Sequence, residues 1–276
     1  MEEKQPKSNR EFTVDRLRVM VAPDRTRCGQ VAATHVATEM RRVLAKQPHV
    51  SIAFGAAPSQ NEFFAVLAKS DGVDWTRVIA FQLDEYLGVG ADDPRRLRNY
   101  MQRHFYRFNS PGQIFSLAAD TAHPGEECRR YAKLLQQYPL DIACLGIGES
   151  GHLAYNDPHV ARFDDPEMVK LIEIDEVSRL QQVHDGTVSD FQSAICKAYT
   201  LTLPTLMRAP CVSCVAPGKI KAAAVAKTLS EPVSERWPAT ILRKHPNAVL
   251  FLDADSATQV KEIGGSFQRE TSSVNR

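Results

Sequence analysis

Short apolar runs rich in β-branched residues alternate along the chain with segments whose apolar residues recur every three or four positions. The runs are Leu17–Val21, Val50–Phe54, Val78–Leu83, Ile142–Ile147, Val169–Ile174, Tyr199–Leu203, Cys211–Ala216 and Val249–Leu252. Several are near-continuously hydrophobic, which suits strands buried on both faces of a parallel sheet. Between them, Cys28, Ala32, Val36, Met40 and Val43 share one helical face. Phe63, Phe64, Leu67 and Ala68 make a second face, and Cys128, Tyr131 and Leu135 a third. Another helix is expected after Asp93-Pro94, with Pro in its first turn and Leu97, Met101 and Phe105 on its face. This alternation predicts an α/β fold: a single doubly wound, mostly parallel sheet flanked by helices, Rossmann-like in kind.

At 276 residues, with no internal repeat and no low-complexity linker, the chain reads as one domain over residues 15–263. A polar, charged segment (1–14) is expected to be flexible, as is the Gly-, Ser- and charge-rich tail (264–276). Hydrophobic residues make up 43% and charged residues 24%, which excludes a disordered or collagen-like chain. Lys plus Arg number 34 against 33 Asp plus Glu, so no basic excess points to nucleic acid or an anionic membrane. A small anion remains within reach, because one site needs only a few cations. Met1 to Arg10 lack the apolar core of a secretory signal, and no stretch approaches the ~18–20 apolar residues of a membrane span. Cys211-x-x-Cys214 has no second Cys/His pair at zinc spacing, so it reads as plain buried thiols. The expected compartment is the reducing cytosol.

Ligands of open parallel sheets bind beyond the carboxyl ends of the strands, and three such ends carry unusual residues. The turn Gly55-Ala56-Ala57-Pro58-Ser59 could present backbone N–H groups and a hydroxyl to an anion; equally, Ser59 could simply cap the following helix. Asp84-Glu85 ends a hydrophobic run, where burial and mutual repulsion would raise one pKa and make a proton-transfer base. A cap facing water is the alternative. Finally, the glycine-rich turn Gly146-Ile147-Gly148-Glu149-Ser150-Gly151 precedes His152, with Asp157 five residues later. A histidine oriented by a nearby acid can move protons near neutral pH.

These segments resemble the glucosamine-6-phosphate deaminase/isomerase family, which shares its fold with the 6-phosphogluconolactonases. Leu83-Asp84-Glu85-Tyr86-Leu87-Gly88 is similar to the family's Asp-Glu-Tyr segment, and Gly151 through Pro158 to its Gly-His-(Ile/Leu)-Ala-(Phe/Tyr)-Asn-(Glu/Asp)-Pro segment. Ser178-Arg179, Pro217 through Ala222 and Arg236 through Pro246 follow in matching order. Lactonases typically carry Asp-Glu-Arg at the acidic segment, so Tyr86 and Ala154-Tyr155-Asn156 favour the amino-sugar branch.

The resemblance implies a phosphosugar aldose–ketose isomerase that turns glucosamine 6-phosphate into fructose 6-phosphate and ammonia without metal or organic cofactor. The alternatives are a 6-phosphogluconolactonase-like hydrolase and a catalytically weakened sugar-phosphate-binding regulator. By matched position, Asp84, beside Glu85, would be the base acting between C1 and C2. His152 would assist ring opening with Asp157 as its acid. Ser59, Arg179 and Lys221 would hold the phosphate, and Gly55, Ala56, Gly148 and Gly151 would line the substrate loops. The implied partner is a small sugar phosphate, with a homo-oligomer compatible. Two segments depart from the family's usual pattern: Ser150 stands where an Asp is usual, and Ala57-Pro58 where Gly-Gly is common. Serine cannot supply a charge to an imidazolium, so weak deamination is expected, improved by Ser150→Asp. Pro58 removes one backbone donor from the phosphate turn.

Overall fold

Strands and helices form largely where the hydrophobic pattern places them. The computed structural model describes residues 9–260. In chain order the elements are β1 (Arg10–Val14), β2 (Leu17–Ala22), α1 (Arg25–Leu44), β3 (Val50–Phe54), α2 (Asn61–Leu67), β4 (Val78–Gln82), β5 (Asp84–Tyr86), α3 (Leu97–His104) and β6 (Gln113–Phe115). They continue with α4 (Pro124–Gln137), β7 (Ile142–Leu145), β8 (Val169–Glu173), α5 (Glu176–His184), β9 (Lys197–Leu201), α6 (Leu203–Met207), β10 (Cys211–Val215), α7 (Ala222–Ser230) and β11 (Ala248–Asp253).

The main sheet has eight strands in the order β1-β2-β11-β10-β7-β3-β4-β6, and every pairing except β1–β2 is parallel. Strands β3, β4, β7, β10 and β11 are buried along their whole length, as their mostly apolar sequences suit. Helix α1 buries the expected face, Cys28, Ala32, Val36, Met40 and Val43. Cys211 and Cys214 are buried free thiols in β10. The order runs outward from β3 through β4 to β6 on one side, and from β7 through β10 to β11 on the other. The switch therefore lies between β3 and β7, where doubly wound sheets open a crevice.

Three expectations need correction. Two of the expected strands, β8 and β9, leave the main sheet and pair antiparallel with each other; β5 joins them in a three-stranded sheet ordered β5-β9-β8. No α-helix separates β7 from β8, so the crossover that a parallel neighbour needs is missing. Residues 10–14, expected to be flexible, form β1 because Phe12 and Val14 alternate inward onto the core. The chain reverses at Asp15, a non-glycine residue at φ 54°. Helix α3 starts at Leu97, beyond Asp93-Pro94, whose segment closes a turn through Arg96 N–H to the Asp93 carbonyl at 3.1 Å. The tail over 264–276 lies outside the described residues.

Candidate active site

Four loops at the carboxyl ends of β3, β4, β7 and β10 meet around a cleft of about 340 Å³. After β3, the Gly55 N–H donates to the Cys144 carbonyl (3.1 Å), and Pro58–Gln60 make one tight turn leading into α2. Ser59 makes no capping bond to that helix; its hydroxyl lines the cleft and accepts from Gln60 Nε2 at 3.2 Å. Arg25 clamps the turn from outside, donating to the Pro58 carbonyl at 2.5 Å and pairing with Glu62 at 2.8 Å.

After β4, Leu83 carries the chain out of the main sheet, and Asp84 opens β5 inside the cleft, 8% exposed. Its carboxyl is pushed from 3.8 up to about 8, first by burial and then by the charge of Glu85. Glu85 points the other way and is fully buried. It accepts from the Leu97 and Arg98 N–H groups (2.9 Å each), the Tyr86 N–H (2.9 Å) and Gln82 Nε2 (3.2 Å). A carboxylate on the first N–H groups of α3 is a helix cap. Glu85, expected in the catalytic set, is thus absent from the cleft lining.

The third loop holds the histidine. A Cβ on Gly148 would lie 1.8 Å from His152 Nε2, so the ring occupies space that only glycine leaves open. His152 Nδ1 meets the carbonyl of Ala154, which only accepts; Nδ1 therefore carries the proton of the neutral ring. Nε2 is buried and, among the described residues, has no hydrogen-bond partner. Ala154 sits at φ 50°, a strained value for alanine that turns its carbonyl back to the ring. Tyr155 stacks on His152 (centroids 5.9 Å, 8°), and its hydroxyl donates to the Tyr86 hydroxyl at 2.7 Å.

Beyond β10, Gly218 at φ 95° gives its N–H to both Asp253 oxygens at 3.0 Å. That bend brings Lys221, 4% exposed, into the cleft. Burial lowers the pKa of its ammonium, and the charges of Asp185 and Glu149 oppose that shift.

The cleft thus unites Gly55, Ala56, Ser59, Asp84, Gly148, His152 and Lys221. Asp157 is not the partner of His152. Its buried carboxylate accepts from the Ser178 hydroxyl (2.5 Å), the Asp175 N–H (3.1 Å) and the Ser150 hydroxyl (3.3 Å). Ser178 gives the shortest of these bonds, and Ser150 adds a third donor from the histidine loop. Glu149 is likewise engaged elsewhere, with His184 at 3.0 Å. Arg179 is absent from the lining: its guanidinium lies 4.2 Å over the Phe191 ring and donates to the Phe191 carbonyl at 3.2 Å. Gly151, at φ 80°, supports the loop through its N–H to the Gly148 carbonyl and lies against Trp237 rather than the cleft. Gln60, Tyr100, Arg103, Gln181 and Asp185 line the cleft without having been singled out by sequence. Among the described residues, Asp157, His159 and Asp175 place ligand atoms within 4.8 Å of one another, outside the cleft. Asp157 is already occupied by its donors, and His159 Nε2 donates to the Glu173 carbonyl at 3.0 Å.

Residues 23–251 match the family described as glucosamine-6-phosphate isomerases/6-phosphogluconolactonase. The chain belongs to this family. Similar family members include a glucosamine-6-phosphate deaminase of Lysinibacillus sphaericus, 32% identical over 74% of this chain and 90% of that protein. The glucosamine-6-phosphate deaminase of Shouchella clausii (strain KSM-K16) is 34% identical over 76% of this chain and 84% of its own. Among solved structures, a monomeric glucosamine-6-phosphate deaminase superposes with a TM-score of 0.80 at 24% identity, covering 87% of this chain and 99% of that one. The 6-phosphogluconolactonase of Trypanosoma brucei gives 0.72 at 18% identity, over 88% and 98%. At these identities the structural likeness is one of fold, and it agrees with the large parallel sheet described above.

Proposed function

We propose that this protein is a glucosamine-6-phosphate deaminase, converting the amino-sugar phosphate and water into fructose 6-phosphate and ammonia. The observation that carries this reading is the presence in one cleft of a buried acid poised between protonation states, a histidine with a free Nε2, and a buried cation. Lys221 and the Ser59 turn suit a phosphate. His152 Nε2 takes the proton of the C1 hydroxyl and returns one to the ring oxygen, opening the pyranose. Asp84, as carboxylate, removes the proton from C2 and delivers it to C1, while the substrate ammonium gives one of its protons to the C1 oxygen, which becomes a hydroxyl. The double bond then lies between C2 and nitrogen, and water adds there as ammonia leaves. Protons balance at every step, and no electrons leave the sugar.

The lactonase alternative is less well served. Tyr86, where lactonases typically carry Arg, spends its hydroxyl on Tyr155, which in turn stacks on His152. The test is turnover of glucosamine 6-phosphate with ammonia and fructose 6-phosphate followed separately. They should appear one to one, and 6-phosphogluconolactone should be hydrolysed no faster than in buffer. Ketose without ammonia, or rapid lactone hydrolysis, would overturn the proposal.

A further inference from the structure

Helix α5 presents one polar stripe to the cleft, Ser178, Gln181, Gln182 and Asp185, at the i, i+3, i+4, i+7 spacing of a single helical face. Three of these side chains have their polar groups committed. Ser178 donates to Asp157. Gln182 exchanges two bonds of 2.9 Å with the Ile195 backbone. Gln181 accepts from the Glu149 N–H at 2.8 Å, tying the helix to the histidine loop, and donates from Nε2 to Asp185 Oδ2 at 3.1 Å. Asp185 Oδ1 receives no side-chain or backbone donor among the described residues.

The place of Asp185 is electrostatically unfavourable for the helix alone. It is the C-cap, followed by Gly186 at φ 71°, whose N–H closes onto the Val183 carbonyl at 3.0 Å. A carboxylate at the carboxyl end of a helix meets the negative end of the dipole. Its one local gain is the bond from Gln181, which leaves Oδ1 without a donor, and such a departure from local preference points to function. Its charge reaches three other walls: it opposes the lowering of Lys221 and adds to burial in raising Tyr86 and Tyr100. Among the described residues Asp84 and Asp185 are the only acids in the lining, and Asp84 is already assigned to proton transfer.

We propose that Asp185, held by Gln181, is the specificity determinant that selects a sugar phosphate bearing a cationic amino group over its hydroxyl counterpart. This rests on the deaminase reading and deepens it. A carboxylate oxygen with no other donor accepts a charge-assisted bond from an ammonium, and a neutral hydroxyl gains less from the same contact. Gln181 fixes the carboxylate and links the same helix to the turn before His152, so recognition and catalysis share one support.

The test uses two open-chain probes that cannot react, 2-amino-2-deoxyglucitol 6-phosphate and glucitol 6-phosphate, titrated calorimetrically into the full-length wild type, Asp185→Asn and Asp185→Glu. Asp185→Asn should weaken the amino probe by about tenfold, the ratio expected when a charged hydrogen bond becomes neutral, and leave the hydroxyl probe within about twofold. Asp185→Glu should restore most of the preference, and circular dichroism should match wild type for all three. Equal weakening of both probes would mean a structural role. Tighter binding of both would mean that Asp185 repels the phosphate. Either result, or no change, overturns the proposal. Ammonia release by wild type with an unchanged amino preference in Asp185→Asn sinks this proposal alone. A wild type that prefers the amino probe yet releases no ammonia sinks only the deaminase reading.

Discussion

Removing the carboxylate of Asp84 without changing its size separates two consequences of one buried acid. Burial, then Glu85, moves this carboxyl from 3.8 to about 8. Between about pH 4 and pH 8 the folded protein therefore holds one proton that the unfolded chain has lost. Stability is linked to that difference, and its sign is negative: each pH unit upward costs about 1.4 kcal/mol until the folded group also ionises near 8. Asp84→Asn cannot lose the proton, so its stability should decline less steeply across the same window. The variant should overtake wild type in urea midpoint as pH rises from 5 to 7. Glu85 is also raised by burial, but four hydrogen bonds oppose that shift and all are retained in the variant.

Activity runs the opposite way, because the base works only as a carboxylate. In the free enzyme at pH 7, about one molecule in ten carries Asp84 ionised. On its acidic side kcat/KM should rise about tenfold per pH unit and level off near 8, and Asp84→Asn should lower turnover by about 10²–10⁴-fold. The assays are ammonia release from pH 5 to 9 and urea unfolding of both proteins at pH 5, 6 and 7. An acidic limb centred near 4, together with parallel stability profiles for the two proteins, would refute the reasoning.

Gly148→Ala places a methyl group 1.8 Å from His152 Nε2 and 2.1 Å from Cδ2, so the ring must move. Turnover should fall at least about 10²-fold with the thermal midpoint nearly unchanged, and a loss of only a few-fold would show that the ring position is not critical. Lys221→Ala should weaken glucosamine 6-phosphate at least about tenfold more than glucosamine, measured by calorimetry. Arg179→Ala should leave that ratio alone, because its guanidinium rests on Phe191. Ser150→Asp sets a second carboxylate where the serine hydroxyl lies 3.3 Å from Asp157 Oδ1. It should lower stability by about 1–3 kcal/mol at pH 7 without speeding turnover; an unchanged urea midpoint with faster ammonia release would restore the simpler view that a charge at 150 serves His152.

The strands of the main sheet were legible because a strand buried on both faces is mostly apolar, and β3, β4, β7 and β10 are, with only Ser51, Gln82 and Ser213 interrupting them. The same criterion misplaced β8 and β9. An apolar run states that a segment is buried, not which sheet buries it, and partnership was decided by the missing crossover helix. Strand β5 is three residues of acid, acid and tyrosine, and no local pattern marks it; it exists because β9 offers an edge. Helix α3 begins late because its cap, Glu85, comes from twelve residues upstream of Leu97, beyond the reach of any rule about neighbouring positions.

Within the site, Ser59, Asp84, Gly148, His152 and Lys221 line one cleft, whereas Glu85, Asp157 and Arg179 are drawn to partners on other elements. Gly148 and His152 are four apart, and the clash that forbids a side chain at 148 is a local one. Asp84 and Glu85 looked alike in sequence, yet the alternation of a strand sends one into the cleft and the other into the cap of α3. Asp157 was expected beside His152 on spacing, but a carboxylate goes to the donors that reach it. Ser178, on a helix that begins nineteen residues later (Glu176), reaches it at 2.5 Å, and Ser150 completes the set. The serine that seemed to leave His152 without a charge thus belongs to another group's hydrogen bonds. The histidine is oriented by a backbone carbonyl instead, through the left-handed turn at Ala154. An imidazole held this way keeps its tautomer without a carboxylate, so the demand for a charged partner falls on the cleft as a whole rather than on position 150.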